Sequence, residues 1–206
     1  MKNMINNFTY KIVDLIFSNS YLFNSFRNII HNNFKEDKLI ISKYFINNKK
    51  TLDFGCGMGQ FSILFDKDKY YGIDTDKEYI DFCKKKNKGN FSLIKEVPPY
   101  NFQDKEFEQI IVFAVIHHIN DKVLKSIFEE FYRILKKNGR IIIMDHFIKK
   151  DQRNFFCRFL INFDRGRYFR NPDNIISLLK KRFEVEKQFI RKGLYKDYIL
   201  IFKKKL

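Results

Sequence analysis

The 206-residue sequence predicts an α/β fold in which helices cover both faces of a mostly parallel sheet. From about residue 50, short apolar runs alternate with amphipathic segments, which is typical of parallel strands joined by helices. A glycine turn over residues 55–59 lies where the first of these strands ends. Two β-like runs over 183–190 and 195–203 predict an antiparallel hairpin that closes the sheet.

Composition indicates a folded, globular chain. Hydrophobic residues make up 45% of the sequence, which is too many for a disordered protein. The longest apolar run, Ile110 to Ile116, is too short to span a membrane. The N-terminus has no signal-peptide cleavage pattern, and the three cysteines have neither metal nor redox spacing. We therefore expect a cytoplasmic protein without a metal site.

Positive charge is concentrated toward the end of the chain. The formal net charge is +16. Residues 51–150 carry 17 basic and 15 acidic side chains, whereas residues 151–206 carry 15 basic and 6 acidic ones. Such a basic region attracts phosphates, nucleic acid or an anionic membrane surface. The alternative is a set of solvated lysines without a partner, in a chain generally rich in Lys, Asn, Ile and Phe.

The predicted elements divide the chain into three parts within one domain: N-terminal helices over 1–48, a core over 49–150, and a segment with the hairpin over 151–206. The predicted core strands cover about 50–54, 70–73, 91–95, 108–116 and 140–144. The predicted helices of the core and the last part cover about 58–65, 76–86, 121–137 and 173–181. Asp121 is the expected N-cap of the third of these helices, and Asn138-Gly139 its stop signal.

The glycine turn carries the strongest functional signal. Glycine tolerates positive φ and lets a ligand approach the backbone, and a following helix N-terminus offers N–H groups to an anion. The stretch from Asp53 to Gly59, an acid followed by G-x-G-x-G, resembles the first motif of class I S-adenosylmethionine (SAM) dependent methyltransferases. The alternative is a glycine turn without function. The resemblance implies a Rossmann-like seven-stranded sheet with a helical N-terminal cover, and SAM as the cofactor.

A second acid supports cofactor binding. Asp74 ends the second strand 21 residues after Asp53, near the spacing at which an acid receives ribose hydroxyls in nucleotide-binding folds. The alternative role is to cap the next helix. After the third strand, the resemblance assigns adenine contacts to Glu96 and Val97. The full set of cofactor-binding residues predicted in this way is Asp53, Gly55, Cys56, Gly57, Gly59, Asp74, Thr75, Glu96, Val97 and Ala114.

Two adjacent histidines follow the fourth strand. His117 and His118 resemble the "LHH" segment of quinone-methylating, small-molecule methyltransferases. Because an imidazole titrates near neutrality, either one is a candidate general base. The alternative is that one caps the next helix or lines the pocket.

The remaining candidates lie on the substrate side. Asp145-His146 ends the fifth strand and points to the same crevice. The segment from Asp164 to Arg170 holds three arginines and two aromatic residues, which suit an anionic, planar or lipidic substrate. Its alternative role is a salt-bridged structural cap. The predicted substrate-binding residues are His146, Arg167, Tyr168 and Arg170.

Together these features predict in-line methyl transfer from SAM to a small-molecule acceptor, anionic or aromatic in character. One alternative is methylation of RNA, a membrane lipid or a quinone, reached through peripheral membrane or nucleic-acid contact by the basic last quarter. Another is a non-catalytic SAM-binding partner subunit. The sequence leaves the acceptor atom and the oligomeric state open.

Overall fold

A computed structural model of the protein describes residues 32–146, 166–192 and 196–205. The chain forms two compact units, Met1–Tyr44 and Phe45–Leu206. In the first unit, a 3-10 turn over Asn32–Phe34 leads into helix α1, Lys35–Tyr44. The other predicted N-terminal helices fall outside the described residues, so the helical cover and the one-domain organisation stay predictions.

The second unit contains the predicted seven-stranded sheet. Its strands are β1 (Thr51–Phe54), β2 (Tyr70–Asp74), β3 (Asn90–Leu93), β4 (Phe107–Phe113), β5 (Leu135–His146), β6 (Phe183–Lys192) and β7 (Lys196–Lys204). The α-helices among its described residues are α2 (Lys77–Lys86), α3 (Asp121–Ile134) and α4 (Pro172–Leu179). The mostly parallel, Rossmann-like arrangement is confirmed.

The strand order creates a crevice at one edge of the sheet. The order is β3-β2-β1-β4-β5-β7-β6, and β1 pairs in parallel with both β2 and β4. The chain therefore builds the sheet outward in opposite directions from the β1–β4 pair. In open α/β sheets, ligands bind beside the carboxyl ends of strands at such a switch point. The fold places the loops after β1 and β4 there.

The far end of the sheet is antiparallel, as predicted. β7 lies between β5 and β6 and runs antiparallel to both, with Ile142 opposite Ile201. β6 is thus the edge strand. The residues between the two hairpin strands, including the predicted turn at Gly193, lie outside the described part of the chain.

The core forms between the sheet and its helices. Ile110 and Ile111 of β4 are both fully buried although they face opposite sides, because central parallel strands are covered on both faces. On α3, apolar residues at helical spacing are buried, and Phe131 packs edge-on against Phe54 with ring centroids 5.2 Å apart. Each such side chain contributes about 1.5–3 kcal/mol. No helix among the described residues is long and apolar enough to cross a membrane.

The predicted helix over 58–65 is wrong. The chain instead makes turns followed by one 3-10 turn, Ser62–Leu64. Gly57 and Gly59 have φ values of +52° and +70°, which are incompatible with a right-handed helix. The Ser62 hydroxyl donates to the Gly59 carbonyl at 2.8 Å and holds this compact turn.

Helix α3 also differs from its predicted bounds. Its N-cap is Asn120, not Asp121, because the Asn120 side chain accepts a hydrogen bond from the Val123 N–H at 3.0 Å. The helix ends at Ile134 rather than at 137, since β5 begins at Leu135. The Lys204 ammonium donates hydrogen bonds to the carbonyls of Tyr132 and Leu135, both at 2.6 Å. It thereby satisfies carbonyls that have no partner within the helix where α3 ends.

Candidate functional site

The glycine loop, residues 55–59, makes a tight turn at the end of β1. Gly55, Gly57 and Gly59 have φ values of +70°, +52° and +70°. The N–H groups of Gly55 and Cys56 both donate to the Ile73 carbonyl of β2, at 2.8 and 3.0 Å. These bonds fold the loop over the ends of the first two strands and fix its backbone.

The three glycines differ in what surrounds them. A Cβ on Gly55 would overlap the side chain of Val115, in the loop after β4. A Cβ on Gly59 would overlap side chains of β3 and of the α2 region. Within the part of the chain that the structure describes, a Cβ on Gly57 would meet only the Gln60 side-chain oxygen, at 3.8 Å. Gly55 and Gly59 are therefore needed for packing, whereas Gly57 leaves space against the backbone that a ligand can use.

Side chains of the α2 region and of the loop itself contact the backbone carbonyls of the glycine loop. The Asn87 amide donates to the Met58 carbonyl at 2.6 Å. The thiols of Cys83 and Cys56 approach the Gly57 carbonyl at 3.4 and 3.7 Å. The hydrogen bond to Cys83, together with burial, raises the pKa of Cys56 well above its usual range. The Cys56 thiol thus stays neutral, and both thiols pack against the backbone of the loop.

Asp74 ties the glycine loop to the end of β2. Its carboxylate accepts hydrogen bonds from the N–H groups of Gly57 at 2.8 Å and Asp76 at 2.9 Å. Burial raises the pKa of Asp74, and the N–H donors of Asp76, Gly57 and Thr75 partly offset this effect. A carboxylate has about four acceptor sites, so capacity for a hydroxyl is left. The alternative helix-cap role falls to Asp76, whose side chain caps α2.

Asp53 lies beneath the loop rather than at the crevice surface. Its carboxyl is 1% exposed and accepts a short hydrogen bond from the Tyr70 hydroxyl. Burial raises the pKa of Asp53 to about 7, although the Tyr70 hydrogen bond acts in the opposite direction. The side chain therefore supports the loop from within the sheet. A direct contact between Asp53 and a cofactor stays a prediction.

Glu96 and Val97 lie in the segment that follows β3, near Asp74. The Ile94 N–H donates to the Asp74 backbone carbonyl at 2.9 Å, which fixes this segment beside β2. Both Glu96 and Val97 are exposed, and the Tyr100 hydroxyl donates to the Glu96 carbonyl at 3.3 Å. The two residues are thus available to a ligand, as the adenine prediction requires.

The loop after β4 contains an unusual backbone conformation. Ala114 has a φ of +52°, in the left-handed region that non-glycine residues rarely adopt. Its N–H donates to the Met144 carbonyl of β5 at 2.8 Å. This turn ends β4 three residues earlier than predicted and presents Val115 to Gly55. Strain of this kind is typical of functional sites.

The two candidate bases have different surroundings. His117 is buried, and its Nδ1 lies 2.5 Å from an oxygen of the buried Asp145 carboxylate at the end of β5. His118 is exposed, with its ring centroid 4.1 Å from that of His117. The structure therefore distinguishes them: a carboxylate orients His117, while His118 lies toward solvent.

A second histidine–aspartate pair lies beside the first. His146 Nδ1 is 2.5 Å from Asp197 of β7, and the Arg191 guanidinium donates to the same carboxylate at 2.6 Å. Despite burial, the hydrogen bonds from His146 and Arg191 lower the pKa of Asp197. The rings of His117 and His146 are 5.7 Å apart. Within the described residues, no group of His, Cys, Asp and Glu side chains is placed to hold a metal ion.

Residues 166–170, which we call the strap, lie across His117. The N–H groups of Arg167 and Tyr168 donate to the His117 carbonyl at 3.0 and 2.9 Å. The Phe169 ring stacks on the imidazole at 5.1 Å with an interplanar angle of 8°. Arg167 and Tyr168 are both exposed. The strap therefore fastens the backbone of two predicted substrate-binding residues to that of the candidate base; Asp164 and Arg165 lie outside the described residues.

Arg170 is used differently from Arg167. Its guanidinium donates to the carbonyls of Ile116, Ile119 and Tyr168 at 2.6–2.9 Å and pairs with Asp121. The side chain is nine-tenths buried, and these contacts occupy its donors. The geometry favours the structural alternative, a clamp that fastens the strap to the loop after β4. Because the described contacts use the N–H donors of Arg170, none of them is left for a substrate. The role of Arg170 in substrate binding stays a prediction.

An open cleft of about 660 Å³ lies on the other side of the strap, toward α4. Its lining is polar and partly acidic, and it includes neither the glycine loop nor His117. The lining residues are Asp121, Tyr168, Phe169, Arg170, Asp173, Asn174, Ser177 and Leu178. Tyr168 is therefore shared between the strap and this cleft.

Several contacts of the site were not predicted. Asp145 was expected at the crevice, but its pairing with His117, 28 residues away, was not. Asn87, Val115 and Phe169 were missed altogether. A polar residue directly after a predicted helix was the available signal for Asn87. Nothing in the local pattern marks Val115 or Phe169, because their roles depend on long-range packing.

The strand order, the glycine loop at the switch point and the acid ending β2 define a Rossmann-like, cofactor-binding α/β protein. A family model described as "Methyltransferase domain" matches residues 52–143. These 92 of the 206 residues include the glycine loop, Asp74 and β4, and over this part the chain is similar to SAM-dependent methyltransferases, which agrees with SAM as the cofactor.

A demethylmenaquinone methyltransferase from Thermotoga maritima is 23% identical over 167 residues, which cover 68% of this chain and 72% of that protein. A phosphoethanolamine N-methyltransferase from Plasmodium falciparum is 26% identical over 144 residues, 66% of this chain and 51% of that protein. The structure of a SAM-dependent methyltransferase from Methanosarcina mazei superposes with a TM-score of 0.68 at 19% identity, covering 81% of this chain and 97% of that one. At this identity the structural match supports the fold alone.

Proposed function

We propose that the protein methylates a small-molecule acceptor in the crevice between the loops after β1 and β4, with the His117 imidazole as the base. The observation that carries the proposal is the pair formed by His117 and Asp145, held at the carboxyl end of β4. The same loop touches the glycine loop through Val115 and Gly55. An oriented imidazole thus lies one short loop away from the cofactor-binding turn.

The residues present fit a SAM cofactor. The open space at Gly57 allows close approach to the loop backbone, and Asp74 keeps acceptor capacity for a ribose hydroxyl. Glu96 and Val97 are accessible beyond Asp74 for the adenine end. The residues that would hold SAM through backbone or side chain are Gly55, Cys56, Gly57, Gly59, Asp74, Thr75, Glu96, Val97 and Ala114.

When bound, SAM supplies a methyl group on a sulfonium, so that the acceptor's lone pair forms the new bond as the carbon–sulfur bond breaks. The protein's task is to hold the acceptor in line and to remove its proton. In our proposal His117 takes that proton and then releases it to solvent. His118, which is exposed, is the second candidate for this transfer.

The strap suggests the acceptor's chemistry. Arg167 offers a guanidinium to a carboxylate or phosphate, and Tyr168 offers an aromatic face, next to the backbone of His117. His146 lies behind, paired with Asp197. Of the two relatives, the one named for phosphoethanolamine agrees with an anionic small-molecule acceptor, whereas the one named for demethylmenaquinone agrees with the quinone alternative below.

The proposal is tested with labelled SAM and a lysate separated into metabolite, lipid and nucleic-acid fractions. We expect label in the metabolite fraction, a product identifiable by mass spectrometry, and strongly reduced labelling with His117→Ala. His118→Ala tests the second candidate: reduced labelling in this variant, with full labelling in His117→Ala, would assign the base to His118. Label confined to the other fractions would contradict a small-molecule acceptor, and full activity of His117→Ala would contradict the base.

The basic last quarter supports one alternative, methylation of RNA or of a membrane lipid or quinone. Residues 151–206 carry 15 basic and 6 acidic side chains. Binding to a polyanion weakens steeply with salt, since counterions are released on association. Labelling of RNA or lipid that falls by orders of magnitude between 50 and 200 mM salt would favour this alternative over the proposal.

A further inference from the structure

Several elements meet at the end of the sheet that lies opposite the crevice. β5 begins at Leu135, and β7 ends at Lys204 beside the start of β5, because these two strands are antiparallel. β6 begins at the same end, where Phe183 pairs with Lys204. Between Arg140 and His146 alone, β5 rises about 20 Å. This end of the sheet is therefore far from the loops after β1 and β4.

Basic side chains from these elements lie together, and we call them the basic patch. The Lys205 ammonium donates to the Lys180 carbonyl at 2.6 Å, just after α4. The Lys205 N–H donates to the Arg182 carbonyl at 3.0 Å, just before β6. The basic patch consists of Lys136, Lys137, Lys180, Lys181, Arg182 and Lys205.

The buried Lys204 lies beside the basic patch and shows how close its charges are. Its ammonium donates to the carbonyls of Tyr132 and Leu135, both at 2.6 Å. Burial lowers the pKa of Lys204, and the charges of Lys105 and Arg182 act in the same direction, whereas Asp104 opposes them. Cations that repel one another at this range attract an anion to the surface that they share.

Acidic side chains near the basic patch neutralise only part of it. Glu129 pairs with Arg182 at 3.1 Å, and Glu108 lies 3.9 Å from Lys136. Glu184 of β6 is a third acid nearby, and it is exposed. Within the part of the chain that the structure describes, three exposed members of the basic patch form no ion pair: Lys137, Lys180 and Lys181.

We propose that the basic patch is a docking surface for the phosphate backbone of a nucleic-acid strand, separate from the crevice. A row of phosphates pairs with ammonium groups that are spread over a surface, and it needs no pocket. The geometry carries this inference, because four separate segments place like charges at one end of the sheet. It does not depend on the proposed function, since the strand is held there whether or not it is methylated.

The surroundings of Tyr132 favour a nucleic acid over a membrane. Arg182 lies 4.6 Å and the Lys204 ammonium 4.3 Å from the centre of the Tyr132 ring. Cations thus cover this aromatic ring, which is not open for insertion into lipid. Binding to a membrane surface gains strength from buried apolar side chains in addition to charge.

The test is fluorescence anisotropy of a labelled uridine RNA of about 20 nucleotides with the full-length protein, between about 50 and 200 mM salt. We expect binding that weakens steeply with salt. A fourfold variant of the basic patch should bind at least about tenfold more weakly and have a salt slope about three units shallower, because four ammonium contacts are removed. Its substitutions are Lys136→Gln, Lys137→Gln, Lys180→Gln and Lys181→Gln.

The matched control removes four exposed charges elsewhere, at the end of α2. Its substitutions are Lys84→Gln, Lys85→Gln, Lys86→Gln and Lys88→Gln. We expect the control to keep wild-type RNA affinity within about twofold. An equal loss in both variants would show a general effect of net charge, and a loss in the control alone would place the surface at α2. Either result would overturn the proposal.

Three further results complete the test. Failure of the wild type to bind the RNA at about 100 mM salt would overturn the proposal. So would tighter binding to vesicles of anionic phospholipid than to the RNA at the same salt concentration. Affinity for the demethylated product of SAM should be unchanged in the patch variant, so that the docking surface and the proposed methylation can fail independently. If the fourfold variant does not fold, the exposed pair Lys180→Gln and Lys181→Gln should give about half the change in salt slope.

Discussion

The two sides of the crevice are held together by different kinds of contact. On the cofactor side, backbone N–H groups of the glycine loop bind the Ile73 carbonyl and the Asp74 carboxylate. On the acceptor side, buried side-chain pairs join separate strands: His117 with Asp145, and His146 with Asp197. Backbone contacts fix a shape that suits the common part of a cofactor. Histidine–aspartate pairs fix the positions of side chains that are candidates to meet a particular acceptor.

The cofactor side also keeps open space, whereas the acceptor side is covered. Among the described residues beyond its chain neighbours, a Cβ on Gly57 would meet only the Gln60 side-chain oxygen, whereas the strap packs directly on His117. Substitutions on the two sides should therefore have different signatures. On the cofactor side, we expect substitutions that change cofactor affinity and substitutions that change stability to be different ones. On the acceptor side, we expect substitutions that change turnover or KM while cofactor affinity stays the same.

The largest effect on folding is expected within the glycine loop. Gly59→Ala should lower the free energy of unfolding by about 2–5 kcal/mol, because positive φ costs alanine about 1–2 and overpacking about 1–3. Gly57→Ala should lose only about 1–2 kcal/mol of stability, yet weaken cofactor binding more than about tenfold. Urea unfolding and calorimetry measure the two quantities. Wild-type affinity in a folded Gly57→Ala protein would remove Gly57 from the site.

The next prediction concerns the pH dependence of stability that the buried Asp53 carboxyl causes. The folded-state pKa of Asp53 is about 7, above that of an unfolded carboxyl. Between about pH 4 and 7 the folded state therefore holds a proton that the unfolded state releases, so this group's contribution to stability falls as pH rises. The total loss is up to about 4 kcal/mol.

The Asp53→Asn variant has no carboxyl to titrate at this position, so it should not lose this stability as pH rises. The free energy of unfolding of the variant, relative to that of the wild type, should therefore rise from pH 4 to pH 7. Chemical unfolding at several pH values measures this difference. The surface variant Asp68→Asn is the control, since its side chain is exposed. Parallel pH curves for wild type and Asp53→Asn would show that Asp53 is ionised throughout and would contradict the buried, protonated carboxyl.

A third experiment separates the ribose role of Asp74 from its role in the loop. Asp74→Ala should weaken cofactor binding by about 2–4 kcal/mol, since it removes charge-assisted hydrogen bonds to the ligand and an acceptor for the Gly57 N–H. Asp74→Asn retains an acceptor oxygen for the loop and isolates the contribution of the charge. If calorimetry gives wild-type affinity for the asparagine variant, the carboxylate does not bind the ribose.

The smallest expected effect compares the two arginines of the strap. Arg170→Ala should lower the free energy of unfolding by about 1.5–3 kcal/mol, because buried carbonyls lose a charged donor. Arg167→Ala should change stability by less than about 0.5 kcal/mol but raise KM for an anionic acceptor, with SAM affinity unchanged. Equal stability losses would show that both arginines are clamps; an unchanged KM would exclude Arg167 from acceptor binding.

The cofactor side was largely predictable because its signals are local. Glycine spacing marks a turn with positive φ, and the position of Asp74 at a strand end follows from the apolar run before it. The alternation of strands and helices gave the sheet and its hairpin. What failed was the helix over 58–65, since the same glycines that make the loop also prevent helical geometry at its start.

The acceptor side was less predictable because its contacts join distant parts of the chain. Arg170 was expected to bind an anion, yet its guanidinium meets carbonyls about 50 residues away. The end of α3 depends on the Lys204 ammonium, 72 residues beyond Tyr132. Local periodicity carries no information about such pairs. Sequence reasoning therefore predicted which polar residues follow β4 and β5, but not the partners of those residues.

The position of β7 has a consequence for synthesis of the protein. This strand follows β6 in the chain but lies inside the sheet, between β5 and β6. The apolar edge of β5, from Ile141 to Met144, therefore has no hydrogen-bonding partner until residues 196–204 have left the ribosome. Exposed strand edges are templates for unwanted pairing. A ribosome that pauses before β7 would hold a nascent chain with a complete glycine loop and an open, aggregation-prone sheet.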